Sequence, residues 1–117
     1  MALKKKQSKN YAVPSDTLCS ILRNPKICEF LEVEFKEEAK TSNAIEFRYT
    51  RKTTLIKYGR DFYVKIESTD AQNSVVTVTT KYHRYRTLFD HFGKSEIKKV
   101  FFFIDMLLEA AEQTTNG

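Results

Sequence analysis

The stretch Ser95-Glu96-Ile97-Lys98-Lys99-Val100-Phe101-Phe102-Phe103-Ile104-Asp105-Met106-Leu107-Leu108-Glu109-Ala110-Ala111-Glu112 decides how the rest of the chain is read. Its apolar residues Ile97, Val100, Phe101, Ile104, Leu107, Leu108 and Ala111 recur at three-then-four spacing, which lines them along one face of an α-helix. Such a face has to be buried against another layer. Phe102, Phe103 and Met106 fall outside that stripe. They leave three destinations open: the protein's own sheet if it curls around the helix, a second copy of the chain, or an apolar ligand in a cavity lined by Phe47, Phe62 and Phe103.

The layer that receives the helix is read from the middle of the chain. Ile45, Phe47 and Tyr49 alternate with Glu46, Arg48 and Thr50, and Phe62, Val64 and Ile66 alternate with Tyr63, Lys65 and Glu67. Val76, Val78 and Thr80 do the same, and period two is the signature of a half-buried strand. Between the last two runs lies Thr69-Asp70-Ala71-Gln72-Asn73-Ser74, a polar turn. Residues 27–38 admit two readings, since Ile27, Phe30, Leu31 and Phe35 have helical spacing while Leu31, Val33 and Phe35 alternate with charges. The strict alternation favours a strand over 28–37, paired with the run at 45–50 through the turn-prone 39–43. Upstream, Pro14-Ser15-Asp16 opens a short helix over 15–24, with Ser15 as N-cap and Asp16 in the first turn, and Asn24-Pro25 ends it. Residues 10–13 are an optional short strand.

The expected fold is therefore α+β: a short N-terminal helix, a four-stranded antiparallel sheet of two hairpins, and a long C-terminal helix packed on it, in a helix-grip-like arrangement. Residues 1–9, with lysines at 4, 5, 6 and 9, read as a disordered basic tail, and 10–117 as one domain. A chain of 117 residues with 41% hydrophobic, 30% charged, three Gly and two Pro has the composition of a single globular domain. No run approaches the roughly 20 apolar residues of a membrane span. Met1-Ala2-Leu3 meets lysines at once, without the apolar core of a secretory signal, so membrane insertion is excluded and the cytoplasm is the expected compartment. The net charge of +5 and pI near 9.2 give a mild attraction to anions.

With that order of elements in hand, three stretches resemble the small bacterial domains of the SRPBCC (START-like, helix-grip) type. They are Val13-Pro14-Ser15 leading into the first helix; Leu55-Ile56-Lys57-Tyr58-Gly59-Arg60 followed by Phe62, Val64 and Ile66; and Thr87-Leu88-Phe89-Asp90-His91-Phe92-Gly93-Lys94 leading into the last helix. Tyr58 stands where those domains usually have tryptophan, and His91 is an extra residue between the Asp and the aromatic. The resemblance implies a curved sheet wrapped on the C-terminal helix and an apolar ligand or partner held between them. It carries over no catalytic residue.

The chemistry on offer is sparse. Cys19, Cys28, His83 and His91 lack the paired spacing of a metal site, the three glycines form no phosphate loop, and neither cofactor nor enzyme activity is expected. Asp90 and Gly93 read as structural residues at the start of the last helix, Gly93 through a positive φ. Contacts to an apolar small molecule or to a partner, including a second copy in a homodimer, are assigned to Phe47, Phe62, Phe102, Phe103 and Met106. The alternative is a nucleic-acid surface on the polar sheet face. There Arg48, Lys52, Lys65, Lys81, Arg84 and Arg86 would neutralise phosphates, and Tyr63, Tyr82 and Tyr85 would stack on bases.

Overall fold

The computed structural model describes residues 4–51, 59–82 and 92–116. A strand β1 (Lys4–Tyr11) precedes two short helices, α1 (Ser15–Leu22) and α2 (Lys26–Leu31). Strands β2 (Glu34–Lys40), β3 (Ala44–Arg51), β4 (Arg60–Asp70) and β5 (Asn73–Tyr82) follow, and helix α3 (Phe92–Asn116) ends the chain. The strands form one antiparallel sheet in the order β1-β5-β4-β3-β2. The α+β class and both hairpins are as expected, with five strands where four were read. No helix among the described residues is long and apolar enough to cross a membrane.

The fifth strand corrects the reading of a disordered tail for residues 4–9; residues 1–3 lie outside the described residues. From Lys4 the basic run is an edge strand, paired with β5 from Lys4 opposite Lys81 to Tyr11 opposite Ser74. Charge repulsion does not prevent this, because an edge strand is held by backbone bonds on one side while residues 6–10 keep their side chains in water. Lysines on such an edge also discourage a further chain from pairing with it.

The second correction concerns 28–37. Its first part is helix α2, which closes at Glu32 in the left-handed region (φ 57°, ψ 49°), with the Val33 N–H bonded to the Cys28 carbonyl at 3.0 Å. Ile27 and Leu31, one turn apart, are both buried. The alternation of Leu31, Val33 and Phe35 thus straddles a helix end, a turn and a strand. β2 itself carries an irregularity between Phe35 and Glu37, so that Phe35 faces Tyr49, Glu37 faces Arg48 and Glu38 faces Phe47. At α1, Pro14 occupies the N-cap position and Ser15 is the first helical residue, accepting a 3.4 Å bond from the Ser68 hydroxyl. Leu18, Cys19, Ile21 and Leu22 are buried as their spacing predicts.

One sheet face is apolar and lies under the helices. Phe47, Tyr49, Phe62, Val64, Ile66, Val76 and Val78 meet Ile97, Val100, Phe101, Phe103 and Ile104 of α3 and the buried side of α1 and α2 in a single core. Leu107 and Leu108 are half-buried and Ala111 is exposed, so the covered face of α3 is widest toward its N-terminal half. Gly93 lies inside α3, and no described glycine has a positive φ, so the expected role at the helix start is not realised. Asp90 and His91 lie outside the described residues.

Among the described residues, two ion pairs tie α3 to the sheet. Arg51, at the end of β3, reaches Glu96 at 3.3–3.4 Å. It also donates to the carbonyls of Leu31 and Glu32 at the C-terminus of α2, with its guanidinium 5.6 Å from the centre of the Phe62 ring. Two and a half turns further on, Asp105 accepts from the Lys9 ammonium at 2.8 Å and from the Tyr11 hydroxyl at 2.9 Å, both on β1.

Candidate functional site: an apolar cleft under the helical corner

The misread segment explains where the surplus aromatic residues of α3 go. Phe103 is buried because α2 covers it, the Phe30 ring lying 5.7 Å away. Phe47 and Phe62 are fully buried under the helices. These three, expected to line a ligand cavity, are packed core residues. Phe102 and Met106 remain 58% and 42% exposed, and Phe30, itself 39% exposed, stacks on Phe102 at 6.1 Å.

A concave site lies elsewhere, between the α1–α2 corner and the β2–β3 hairpin. Leu22 ends α1, Arg23, Asn24 and Pro25 make the corner, Ile27 and Cys28 come from α2, Phe35 and Glu38 from β2, and Tyr49 from β3. Together they enclose a cleft of about 370 Å³. The corner follows from sequence: Pro25 cannot continue α1, and the Asn24 side-chain oxygen accepts the Lys26 N–H at 3.0 Å to start α2. Phe35, half exposed, meets Tyr49 edge to face at 5.7 Å and forms the outer lip.

The polar groups of the cleft are occupied. The Tyr49 hydroxyl donates to the Leu22 carbonyl at 2.8 Å, and burial pushes its phenol well above the ordinary range. Arg23 forks onto Glu38 at 2.8 and 3.2 Å, and this hydrogen bond holds the Glu38 carboxyl below its usual value. Burial pushes the Cys28 thiol up, against the opposing effect of a hydrogen bond with the Phe35 backbone. The cleft thus offers apolar walls, one closed ion pair at its rim, and a thiol kept in its protonated form.

The residues expected to bind nucleic acid divide into two groups. Lys52, Arg84, Tyr85 and Arg86 lie outside the described residues, and Tyr82 ends β5. Arg48, Tyr63, Lys65 and Lys81 belong to the outer sheet face, where Tyr63 sits between Arg48 and Thr79 in the register and borders a shallow polar depression with Glu46 and Lys81. Two of the cations there are matched by acids. Arg48 bonds Glu37 at 2.5 Å and Glu46 at 2.7 Å, and Lys65 lies 3.5 Å from Glu67. No group of three His, Cys, Asp or Glu among the described residues could hold a metal ion.

Reading the sequence alone passed over the whole lining of the cleft. Phe35 and Tyr49 were recoverable, since both stand in the apolar phase of their strands, but the opposite wall required the α1–α2 corner.

No protein-family model matches the chain, and no curated protein matches it in sequence. Among solved structures it is similar to Ara h 8.0201, with a TM-score of 0.57 and 13% identity over 90% of this chain and 94% of that one. Norcoclaurine synthase from Thalictrum flavum, solved in complex with dopamine and hydroxybenzaldehyde, matches with a TM-score of 0.51 and 10% identity over 94% and 88% of the two chains. A START superfamily protein from Mycobacterium smegmatis aligns over 95% and 98%, with a TM-score of 0.47 and 10% identity. The chain has the START-like, helix-grip fold that the sequence resemblance implied. At such identities the likeness carries architecture alone, and one of these proteins is a synthase, so function has to be argued from this chain's own site.

Proposed function

We propose that this chain is a binding domain that takes an uncharged, largely apolar small molecule into the cleft between the α1–α2 corner and the β2–β3 hairpin. The observation that carries the reading is the combination of shape and chemistry at that place. A hollow of about 370 Å³ is walled by Leu22, Ile27, Phe35 and Tyr49, and falls within the roughly 300–1,000 Å³ usual for small-molecule sites. Its polar groups are already paired, so a charged ligand would have to break the Arg23–Glu38 bridge while an apolar one displaces only water.

Binding is favoured over catalysis by the state of the titratable groups. A raised thiol, a raised phenol bonded to a backbone carbonyl and a carboxylate held by arginine include no poised nucleophile or base at neutral pH. The nucleic-acid reading is the weaker one, because Arg48 and Lys65 spend their charge on neighbouring glutamates.

Titration with the neutral fluorescent probe N-phenyl-1-naphthylamine tests the reading. Saturable enhancement is expected for the native chain and for Phe102→Ser, and its loss is expected for Cys28→Phe, which fills the cleft. A native chain without saturable binding, or a Cys28→Phe variant that melts like the native chain and binds equally well, would overturn it.

A further inference from the structure

The exposed face of α3 has a charge pattern that matches its own reverse. Lys99, Phe102, Met106 and Glu109 are all exposed and follow one another at spacings of three and four, so they form one outward stripe, flanked by the exposed Lys98, four residues before Phe102. The stripe is basic before the aromatic residue and acidic after it. Phe102 lies two residues before Ile104 and Met106 two after, while Lys99 lies five before and Glu109 five after. A second α3 laid antiparallel, with a two-fold axis at the level of Ile104, therefore sets Phe102 against the partner's Met106 and Lys99 against the partner's Glu109. Each contact occurs twice.

We infer that this chain self-associates as a two-fold dimer through α3, with Phe30 of α2 widening the apolar centre. A two-fold interface requires a patch complementary to itself, and a helix with charges of one sign throughout would fail that requirement. A parallel arrangement would set Lys99 beside Lys99 and is disfavoured by like charge. The centre supplies what such an interface needs energetically: Phe102 stacked on Phe30, whose ring also lies against Phe103, and the exposed Met106, all held in contact with water by the monomer. Phe102 costs little conformational freedom to bury, since Phe30 has fixed its ring. Ile27 and Cys28 are the residues of α2 that line the cleft, and neither Phe30 nor any residue of α3 does, so the dimer leaves it open.

Sedimentation equilibrium tests the pairing. The native chain is expected at twice the 13.7 kDa of one chain at about 100 μM, with Phe102→Lys monomeric. Lys99→Glu and Glu109→Lys are each expected to weaken the dimer about tenfold, because each acts at two symmetry-related contacts, and the double variant Lys99→Glu/Glu109→Lys is expected to restore it. All the changed residues are exposed, so folding is preserved, which circular dichroism checks. A native chain that stays monomeric, a dimer indifferent to the single charge changes, or a double variant no stronger than the singles would each overturn the inference. Binding of a foreign protein or lipid at Phe102 by a chain that stays monomeric would do so as well. The Cys28→Phe variant is expected to dimerise normally, which separates this result from the fate of the cleft.

Discussion

The two ion pairs that fasten α3 to the sheet use the same chemistry in opposite surroundings. Arg51 and Glu96 are 9% and 15% exposed, whereas Lys9 and Asp105 are each 45% exposed. A buried charge has to replace its lost hydration, and Arg51 does so with the carbonyls of Leu31 and Glu32, the Glu96 carboxylate and the Phe62 ring face. Those carbonyls sit at the C-terminal end of α2, where a cation is favoured in any case. The Lys9 ammonium keeps its water and, among the described residues, meets only Asp105 and the face of the Tyr11 ring, 5.1 Å from its centre. The difference teaches that one junction is an obligatory part of the core, joining β3, α2 and α3, while the other is a surface latch whose strength depends on Tyr11.

The largest effect is therefore expected at Arg51. Arg51→Ala leaves Glu96 and two helix-end carbonyls without their cation, and removing one partner of a buried pair costs about 3–5 kcal/mol. For a domain with roughly 5–15 kcal/mol in hand, that is about a fifth or more of the total. Arg51→Lys keeps the charge and loses the fork, so it is expected to fall between the native chain and the alanine variant. Urea unfolding measures both. An Arg51→Ala loss below about 1 kcal/mol would place this junction in the same class as the surface latch.

The two junctions were unequally legible in the sequence. Period two along β3 puts Arg51 in the same phase as Phe47 and Tyr49, so its inward direction was readable; its partners were not, because Leu31 and Glu32 lay inside a segment assigned to strand. Six residues of α2 are too short to impose a period, and Glu32 holds a left-handed conformation that glycine would have announced. β1 was read only at its end, as the optional strand over 10–13, for another reason. Its pairing rests on backbone bonds to β5, and nothing apolar before Tyr11 marks it as a strand. β3, β4, β5 and α3 were legible because their apolar periods are long and unbroken. The cleft was not, since one of its two walls is the corner that the strand assignment erased.

A smaller effect is expected at Tyr11, the buried half of the latch. Burial and the bond to Asp105 raise its phenol well above the ordinary value near 10, so the folded chain holds this proton to higher pH than the unfolded chain does. Its contribution is whole below about pH 10 and is lost as pH rises beyond that. Tyr49, raised by burial, acts in the same sense. Tyr11→Phe is expected to cost about 1.5 kcal/mol at pH 7, as for a hydrogen bond to a charged acceptor, and to flatten the alkaline decline. Urea midpoints at pH 8 and pH 11 measure the two effects, and an unchanged alkaline slope would mean that Tyr11 does not carry the titration.

The smallest effect is expected at Lys9, although its 2.8 Å contact is the shorter of the two pairs. Distance is the wrong guide here. Both side chains are nearly half exposed, water and salt screen their attraction, and ordering a lysine offsets part of it, which leaves about 0.5 kcal/mol. Lys9→Ala should therefore lower stability slightly at low ionic strength and not measurably in about 1 M salt. In the Tyr11→Phe background the same substitution should cost more, because Asp105 then keeps no other partner from β1. Equal costs in both backgrounds would show that Lys9 and Tyr11 hold α3 independently, and a Lys9→Ala loss as large as that of Arg51→Ala would reverse the ranking by burial.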